Sequence, residues 1–576
     1  MSVLRRGNPW GLGESGAAWL FMVAVVLWIV LPLAPNYDTA THLVWAHEIA
    51  AGRMPGIEDA AAPTLHPLWL LLAIPADQSS FGPGLFQLLT VFSWTIVIAS
   101  AWLLASRIAG PVAGVLAAVA TGSSFALMLL AFKAYVDLPF LALVLTALVI
   151  EWSAEGRPGD VGDADAESDA AVGADAASGV DRPSGRPITR QEGRSTQMEP
   201  LVVPVILFAA GLLRPEAWAF GVLFVALRAL RDGDGAMRWP DATALRAQLV
   251  PALVVLAAPV LWILTELLLT GDPLHSLTGT QALAEELGRP TGLATAPKEL
   301  AVLLSDLARP PVAAAGLLGV GLVIWLRGWR ALLLPLVVLA AGCAGFILVG
   351  ALGLPLLQRY LLVPAVLVCV FAGVAGGVLV AWARGRRDPG GELATAGFEQ
   401  ADVAPQPAAQ EHFHGKEGVP DRTSVPAALR LGAAAALAVG ALGVAGYLAI
   451  KADSFRIVAQ GVLREAQWQR QGAELLDNSR VINARCGGPI TLPTYRFIPE
   501  LTLRAGRDEG DIVSRATALG GAGPQTTGIA IVIEGSRAAK VRLGWAAGVP
   551  RSTNEIPPGF TEVARRGPFV ATARCG

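Results

Sequence analysis

The stretch PNYDTATHLVWAHEIAAG, residues 35–52, holds two of the six histidines in a chain of 576 residues, and His66 follows soon after. Asp38, His42, His47, Glu48 and His66 together offer carboxylates and imidazoles, the groups most used to move protons near neutral pH. Asp38 and His42 are four residues apart, which places them on one face of a helix. With His66 or His275 that pair could hold a divalent ion, the one metal cofactor this sequence suggests. Neither HExxH nor clustered Cys/His spacing supports zinc. His42 and His66 are therefore expected to hydrogen-bond a substrate or to orient Asp38. Asp38 itself reads in two ways, as a proton acceptor or as the N-cap of the apolar-periodic run 39–52.

These residues need a scaffold, and the composition describes it. The chain is 53% hydrophobic and 16% charged, with a mean hydropathy of +0.53, whereas soluble domains carry about 25% charged residues. Apolar runs near 20 residues recur along the chain, so the expected fold is a mainly α, polytopic transmembrane bundle in the plasma membrane. The net charge of −2 leaves no basic footprint for nucleic acid. Abundant Arg, Ala and Gly with little Lys suggest a GC-rich genome, of actinobacterial type.

Residues 17–34, behind Arg5 and Arg6, read as a retained first span with the N-terminus in the cytoplasm. The competing reading, a cleaved signal peptide, lacks a small-x-small site, and further spans follow. Those are expected near 83–106, 110–131, 138–152, 201–213, 216–230, 249–270, 311–327, 331–354, 361–383 and 428–450. Arg107, Arg228, Arg327, Arg330 and Arg384 mark the cytoplasmic side. Both flanks of 201–230 then lie inside, so this segment goes out and returns with Arg214-Pro215-Glu216 at its outer tip. Eleven crossings put the C-terminus outside. The inserts 154–198 and 385–425, poor in large apolar residues, read as disordered cytoplasmic loops.

Residues 1–450 thus form the membrane domain, and 451–576 change character. DSFRIVAQGVLREAQWQRQGAELL reads as an amphipathic helix, and ITLPTYRF, GIAIVIEG and GPFVATARC as short strands. The expectation is a small extracytoplasmic α/β domain. It holds Cys486 and Cys575, while Cys343 and Cys369 fall within spans. Outside the cell thiols oxidise, so a Cys486–Cys575 disulfide is expected, stabilising the domain by up to about 4–5 kcal/mol. The alternative is a pair of free thiols in a cytoplasmic domain.

With this topology the ionisable groups sort to one side. Asp38, His42, His47, Glu48 and His66 share the first outer loop, and Lys133, Tyr135 and Asp137 the second. Arg214 and Glu216 occupy the third, Glu266, Asp272, His275 and Gln281 the fourth, and Gln358, Arg359 and Tyr360 the fifth. Glu266 falls one turn inside the hydrocarbon, where a charge is costly and usually functional. Groups gathered at helix ends on one side could line a pocket for a lipid-borne head group. A transporter would more often place them at mid-membrane.

This order of features resembles the GT-C superfamily of polytopic glycosyltransferases, including protein mannosyl-, aminoarabinose and arabinofuranosyl transferases. The resemblance rests on Asp38 after the first span, the helix 39–52, TLHPLWLLLAIP at 64–75, VDLPFLALVLTAL, GLLRPEAW, TGDPLHSLTGTQ and QRYLLVPA. A lone Asp stands where an Asp-Glu pair occurs in the family, and His-Pro-Leu where a fuller proline motif occurs. The resemblance implies transfer of a sugar, with inversion, from a polyprenyl-phosphate carrier to a glycan, lipid or protein acceptor at the outer face. Membrane lipid is then a partner as well. It further implies Asp38 as the base and Lys133, Arg214 and Arg359 around the leaving phosphate. His42, His66, Asp137, Glu216, Glu266, His275 and Tyr360 would contact or orient substrate. Arg359 reads alternatively as an interfacial anchor beside Tyr360, and Arg214 as an ion-pair partner of Glu216. Other functional classes stay open, namely a flippase for a lipid-linked precursor and a non-enzymatic envelope assembly protein.

Overall fold

The computed structural model describes residues 14–31, 34–57, 64–79, 81–154, 201–230, 238–386, 425–484, 488–506, 510–516, 521, 523, 525–545 and 549–575. The inserts expected at 154–198 and 385–425 fall almost wholly outside the described residues, as does Cys486.

The fold is mainly helical. It begins with α1 (Glu14–Val30), α2 (Tyr37–Ala50), α3 (Pro67–Asp77), α4 (Gly82–Gly122), α5 (Phe125–Phe132) and α6 (Asp137–Ala154). Next come α7 (Val202–Leu213), α8 (Glu216–Leu230), α9 (Ala242–Ala247), α10 (Leu249–Thr270) and α11 (His275–Glu286). They are followed by α12 (Ala296–Ala308), α13 (Pro310–Arg327), α14 (Leu333–Ala351), α15 (Leu362–Ala383) and α16 (Ala427–Leu476). Among the described residues five helices are long and apolar enough to cross a membrane, namely α4, α10, α14, α16 and α15 with the turn before it. Two bent pairs, α5 with α6 and α12 with α13, bring the number to seven at most, if each pair counts as one span.

The sequence pattern predicts eleven crossings, and the difference lies in length and bends. The described parts of α1, α7 and α8 have 17, 12 and 15 residues, short of the roughly 20 that a crossing needs. The runs predicted at 83–106 and 110–131 share α4, which breaks where Gly110 takes φ 82° ahead of Pro111. A proline there lacks the N–H that would continue the ladder. The pair α5–α6 bends by 117° and α12–α13 by 101°.

At the centre α15 packs against α4 and α13, and small residues let the backbones approach. A Cβ on Gly319 of α13 would fall 1.9 Å from the Phe371 carbonyl oxygen of α15. Two ion pairs fix α6 beside the hairpin α7–α8. Asp137 at its start meets Arg214, and Glu151 near its end meets Arg228 at 2.5 Å. Fourteen residues of helix separate these pairs by about 21 Å, so Arg214 and Arg228 lie at opposite ends.

The C-terminal region carries a five-stranded sheet of β1 (Ile490–Leu492), β2 (Ile512–Ser514), β3 (Gly528–Ile533), β4 (Thr561–Arg566) and β5 (Phe569–Arg574), in the order β2-β1-β3-β5-β4. β2, β1 and β3 run parallel, and β5 pairs antiparallel with β3 and β4. The last turns of α16 bury Trp468, Leu475 and Leu476 with Leu501, Ile531 and Phe569. The span-like segment and the amphipathic segment expected separately are one unbroken 50-residue helix.

Candidate active site

The first turn of α2 sets the stage. Asn36 is its N-cap, with the side-chain oxygen accepting from the Thr39 N–H at 2.8 Å. Asp38 is therefore not the cap, a correction to one of its two readings, and its carboxylate is left for another role. That carboxylate meets Arg359, on the turn Gln358–Leu361 before α15, with Nη1 to Oδ2 at 3.2 Å. Both side chains are partly exposed, at 20% and 29%. Arg359 Nε is buried and has no hydrogen-bond partner among the described residues.

Asp38, Thr41, His42, Thr64, His66 and Arg359 line one cavity of about 20 Å³. That volume admits a water-sized group, so the cavity is a narrow mouth rather than an enclosure. Thr41 and Thr64 are lining residues the sequence reading missed. Thr41, three residues past Asp38 on the same helix face, was the only one with a usable signal.

His66 ends the loop before α3 with φ 41° and ψ 74°, a left-handed backbone uncommon for a non-glycine residue. It is 5% exposed, and its Nδ1 lies 2.7 Å from the Leu213 carbonyl. Donation from Nδ1 leaves Nε2 with the lone pair. Burial lowers its pKa well below the ordinary value, and His42, Arg214 and Arg359 lower it further. His42 is different. Its Nδ1 and Nε2 each lie 2.6 Å from a backbone carbonyl, of Asp38 and Leu65 respectively. The ring ties the start of α2 to the segment before α3, and burial lowers its pKa against those two contacts. With both nitrogens engaged, His42 offers none to a metal, which corrects the divalent site suggested for Asp38 and His42. Among the described residues no three His, Cys, Asp or Glu side chains gather where they could hold a metal ion.

The other residues singled out from sequence stand around this mouth or away from it. Arg214, 3% exposed, pairs with Asp137 and with Glu216 at 2.5 Å. Its guanidinium lies 5.1 Å from the Tyr360 ring centroid, and Arg359 lies 5.9 Å from the same ring. Tyr360 thus lies near both arginines. Glu266, buried on α10, accepts from Trp262 Nε1 at 2.7 Å, and Trp262 packs edge-on against His66 at 5.8 Å. His275 opens α11 with Nε2 buried and without a partner among the described residues. Beside it, Ser276 Oγ accepts from the Leu65 N–H at 3.4 Å. His47 and Glu48 lie outside the mouth, bonded to Asp77 and to the Gly56 N–H.

Lys133 is not in the cavity lining. Its Nζ donates to Glu465 of α16 at 2.6 Å, and Glu465 also pairs with Arg542 at 2.7 Å. Glu500, buried on α17 (Ile498–Ala505), is pushed up to about 8 by burial, with Lys133 opposing the shift. Glu465, Arg542 and Glu500 carry no local signal that would link them to Lys133. In α14 and α15, Cys343 and Cys369 hold free thiols, and Cys575 follows β5. Because Cys486 lies outside the described residues, the predicted disulfide stays a proposal.

No known family profile matches this chain, and no curated protein matches it. Among solved structures it is similar to the apo-state crystal structure of ArnT from Cupriavidus metallidurans. The identity is 13% and the TM-score 0.43, over 97% of this chain and 98% of that one. That likeness is coarse.

Proposed function

We propose that the protein is a membrane glycosyltransferase that moves a sugar, with inversion, from a polyprenyl-phosphate carrier to a glycan, lipid or protein acceptor at the outer membrane face. The observation that supports this reading is the Asp38–Arg359 pair at the mouth of one cavity, with Arg359 Nε buried and unpartnered. A carboxylate beside a cation is what displacement of a phosphate by a hydroxyl requires. Asp38 takes the proton as the acceptor oxygen bonds to the anomeric carbon. The bond from that carbon to the phosphate oxygen breaks, and Arg359 receives the phosphate through charge-assisted hydrogen bonds. His66 presents Nε2 to a hydroxyl at the same mouth. Arg214 and Tyr360 support Arg359 from behind.

The test separates binding from turnover. A hydrogen bond to a charged group contributes roughly 1.5–3 kcal/mol, so Arg359→Ala should weaken undecaprenyl-phosphate binding about ten- to a hundredfold. Arg359→Lys keeps the charge, loses the planar fork and should fall between. Asp38→Asn should spare binding and suppress transfer, because a base acts chiefly in the transition state. Intact binding and transfer in both Arg359→Ala and Asp38→Asn would refute the assignment.

A further inference from the structure

Lys133 lies in the turn between α5 and α6 and is 6% exposed. Its side chain faces the C-terminal region, reaching Glu465 across 332 residues of sequence. The far oxygen of Glu465 accepts from Arg542 Nη2 at 2.7 Å and Nε at 3.2 Å. Arg542 belongs to the helical turn Lys540–Gly544 that follows β3. One buried carboxylate thus holds two cations, one from the membrane domain and one from beside the sheet.

The backbone of the same turn is bonded to the start of α2. The Asn36 N–H donates to the Lys133 carbonyl at 2.8 Å, and the Thr39 hydroxyl donates to the Ala134 carbonyl at 2.6 Å. That hydroxyl also accepts from Trp69 Nε1 at 3.1 Å. Ala134 has φ 55°, a strained conformation for a residue with a Cβ, and such strain persists where the surroundings over-determine it. Asp38 lies between Asn36 and Thr39, the two residues pinned to this turn.

We propose that Lys133 is a positioning residue, the link through which the Glu465–Arg542 pair fixes the first turn of α2 and so holds Asp38 against Arg359. The sheet then acts on the reaction without touching the reacting atoms. The role given to Asp38 rests on the glycosyl-transfer reading, whereas the mechanical link stands apart from it. Removing either cation leaves Glu465 with one partner in place of two and frees it to shift toward the one that remains, and the turn is where that shift is felt.

The full-length protein in nanodiscs provides the test, with undecaprenyl phosphate as the binding probe. Lys133→Met and Arg542→Gln should both raise amide hydrogen exchange at residues 36–42 by about tenfold or more. Protection in β3 and β5 should stay within about twofold, and Lys133→Arg should restore most of the lost protection at 36–42. Undecaprenyl-phosphate binding should also hold within about threefold in both disruptive variants, since Arg359 is untouched. Unchanged exchange at 36–42 in Arg542→Gln would overturn the link. Loss of binding in Lys133→Met comparable to that of Arg359→Ala would overturn it too, making Lys133 a phosphate ligand. Failure of the glycosyl-transfer reading shows elsewhere, in Arg359→Ala and Asp38→Asn, and leaves the exchange result standing.

Discussion

His66 combines a left-handed backbone, burial and a ring nitrogen already committed to Leu213. Its folded-state pKa lies below the unfolded value near 6.5. Between those two values the unfolded chain binds the proton and the folded one does not, so stability rises with pH there. The contribution is fully present above about 6.5 and is lost as pH falls through the lowered value. His66→Gln should therefore flatten the fall in melting temperature between about pH 6.5 and 5, leaving the part that His42 contributes in the same direction. An unaltered acid slope in the variant would argue against a neutral, buried His66. At this scale the sequence was informative about Asp38 and Arg359, because each is a charge at the end of an apolar run. It carried the local Arg214–Glu216 pair but not the distant partners, Asp137 for Arg214 and Glu465 for Lys133. Which carboxylate neutralises a cation depends on packing between distant segments, and local spacing carries no record of it.

Among the helices, hydropathy located the apolar runs and missed their geometry. The turns that divide α4, part α5 from α6 and part α12 from α13 depend on single backbone conformations at Gly110, Ala134 and Arg309. Gly110-Pro111 and Arg309-Pro310-Pro311 carry a sequence sign of their bends, whereas Ala134 carries none. Close packing makes a sharper claim. The Cβ added by Gly319→Ala would meet backbone of α15, which cannot rotate aside, whereas one on Gly321, two residues on, has nothing within 4 Å. Overpacking costs typically about 1–3 kcal/mol, so Gly319→Ala should lower the melting temperature. Gly321→Ala should leave it unchanged or raise it slightly through helix propensity. Equal effects from the two substitutions would contradict this packing of α13 on α15.

For the whole molecule, the relative placement of parts tightens the topology we propose. The Tyr37 and Tyr495 rings meet at 5.5 Å, and Lys133 meets Glu465, so the first outer loop and the sheet region share a side. Reporters fused after Gly576 and inserted after Ile57 should give the same answer, and the topology we propose predicts that both are outside. Mass spectrometry of unreduced protein should then find Cys486 joined to Cys575, and two free thiols would count against an outer domain. The short apolar runs of GIAIVIEG and GPFVATARC, set between Gly/Pro turns, made β3 and β5 legible, since each buries nearly every residue. The unbroken run of α16 was not, because a change from apolar to amphipathic composition resembles a boundary.

That continuity makes α16 a shaft with a fixed phase. Each residue turns a helix by 100° and raises it by about 1.5 Å, so the angle at which Glu465 faces Lys133 is set by the count of residues below it. One residue inserted near position 452 would swing Glu465 through more than a quarter turn. Seven would return it to within about 20° of its present facing, but about 10 Å higher. The length of α16 between the membrane and Glu465 is therefore a clocking element, in which an error of one residue disengages the parts that two whole turns would only misalign in height.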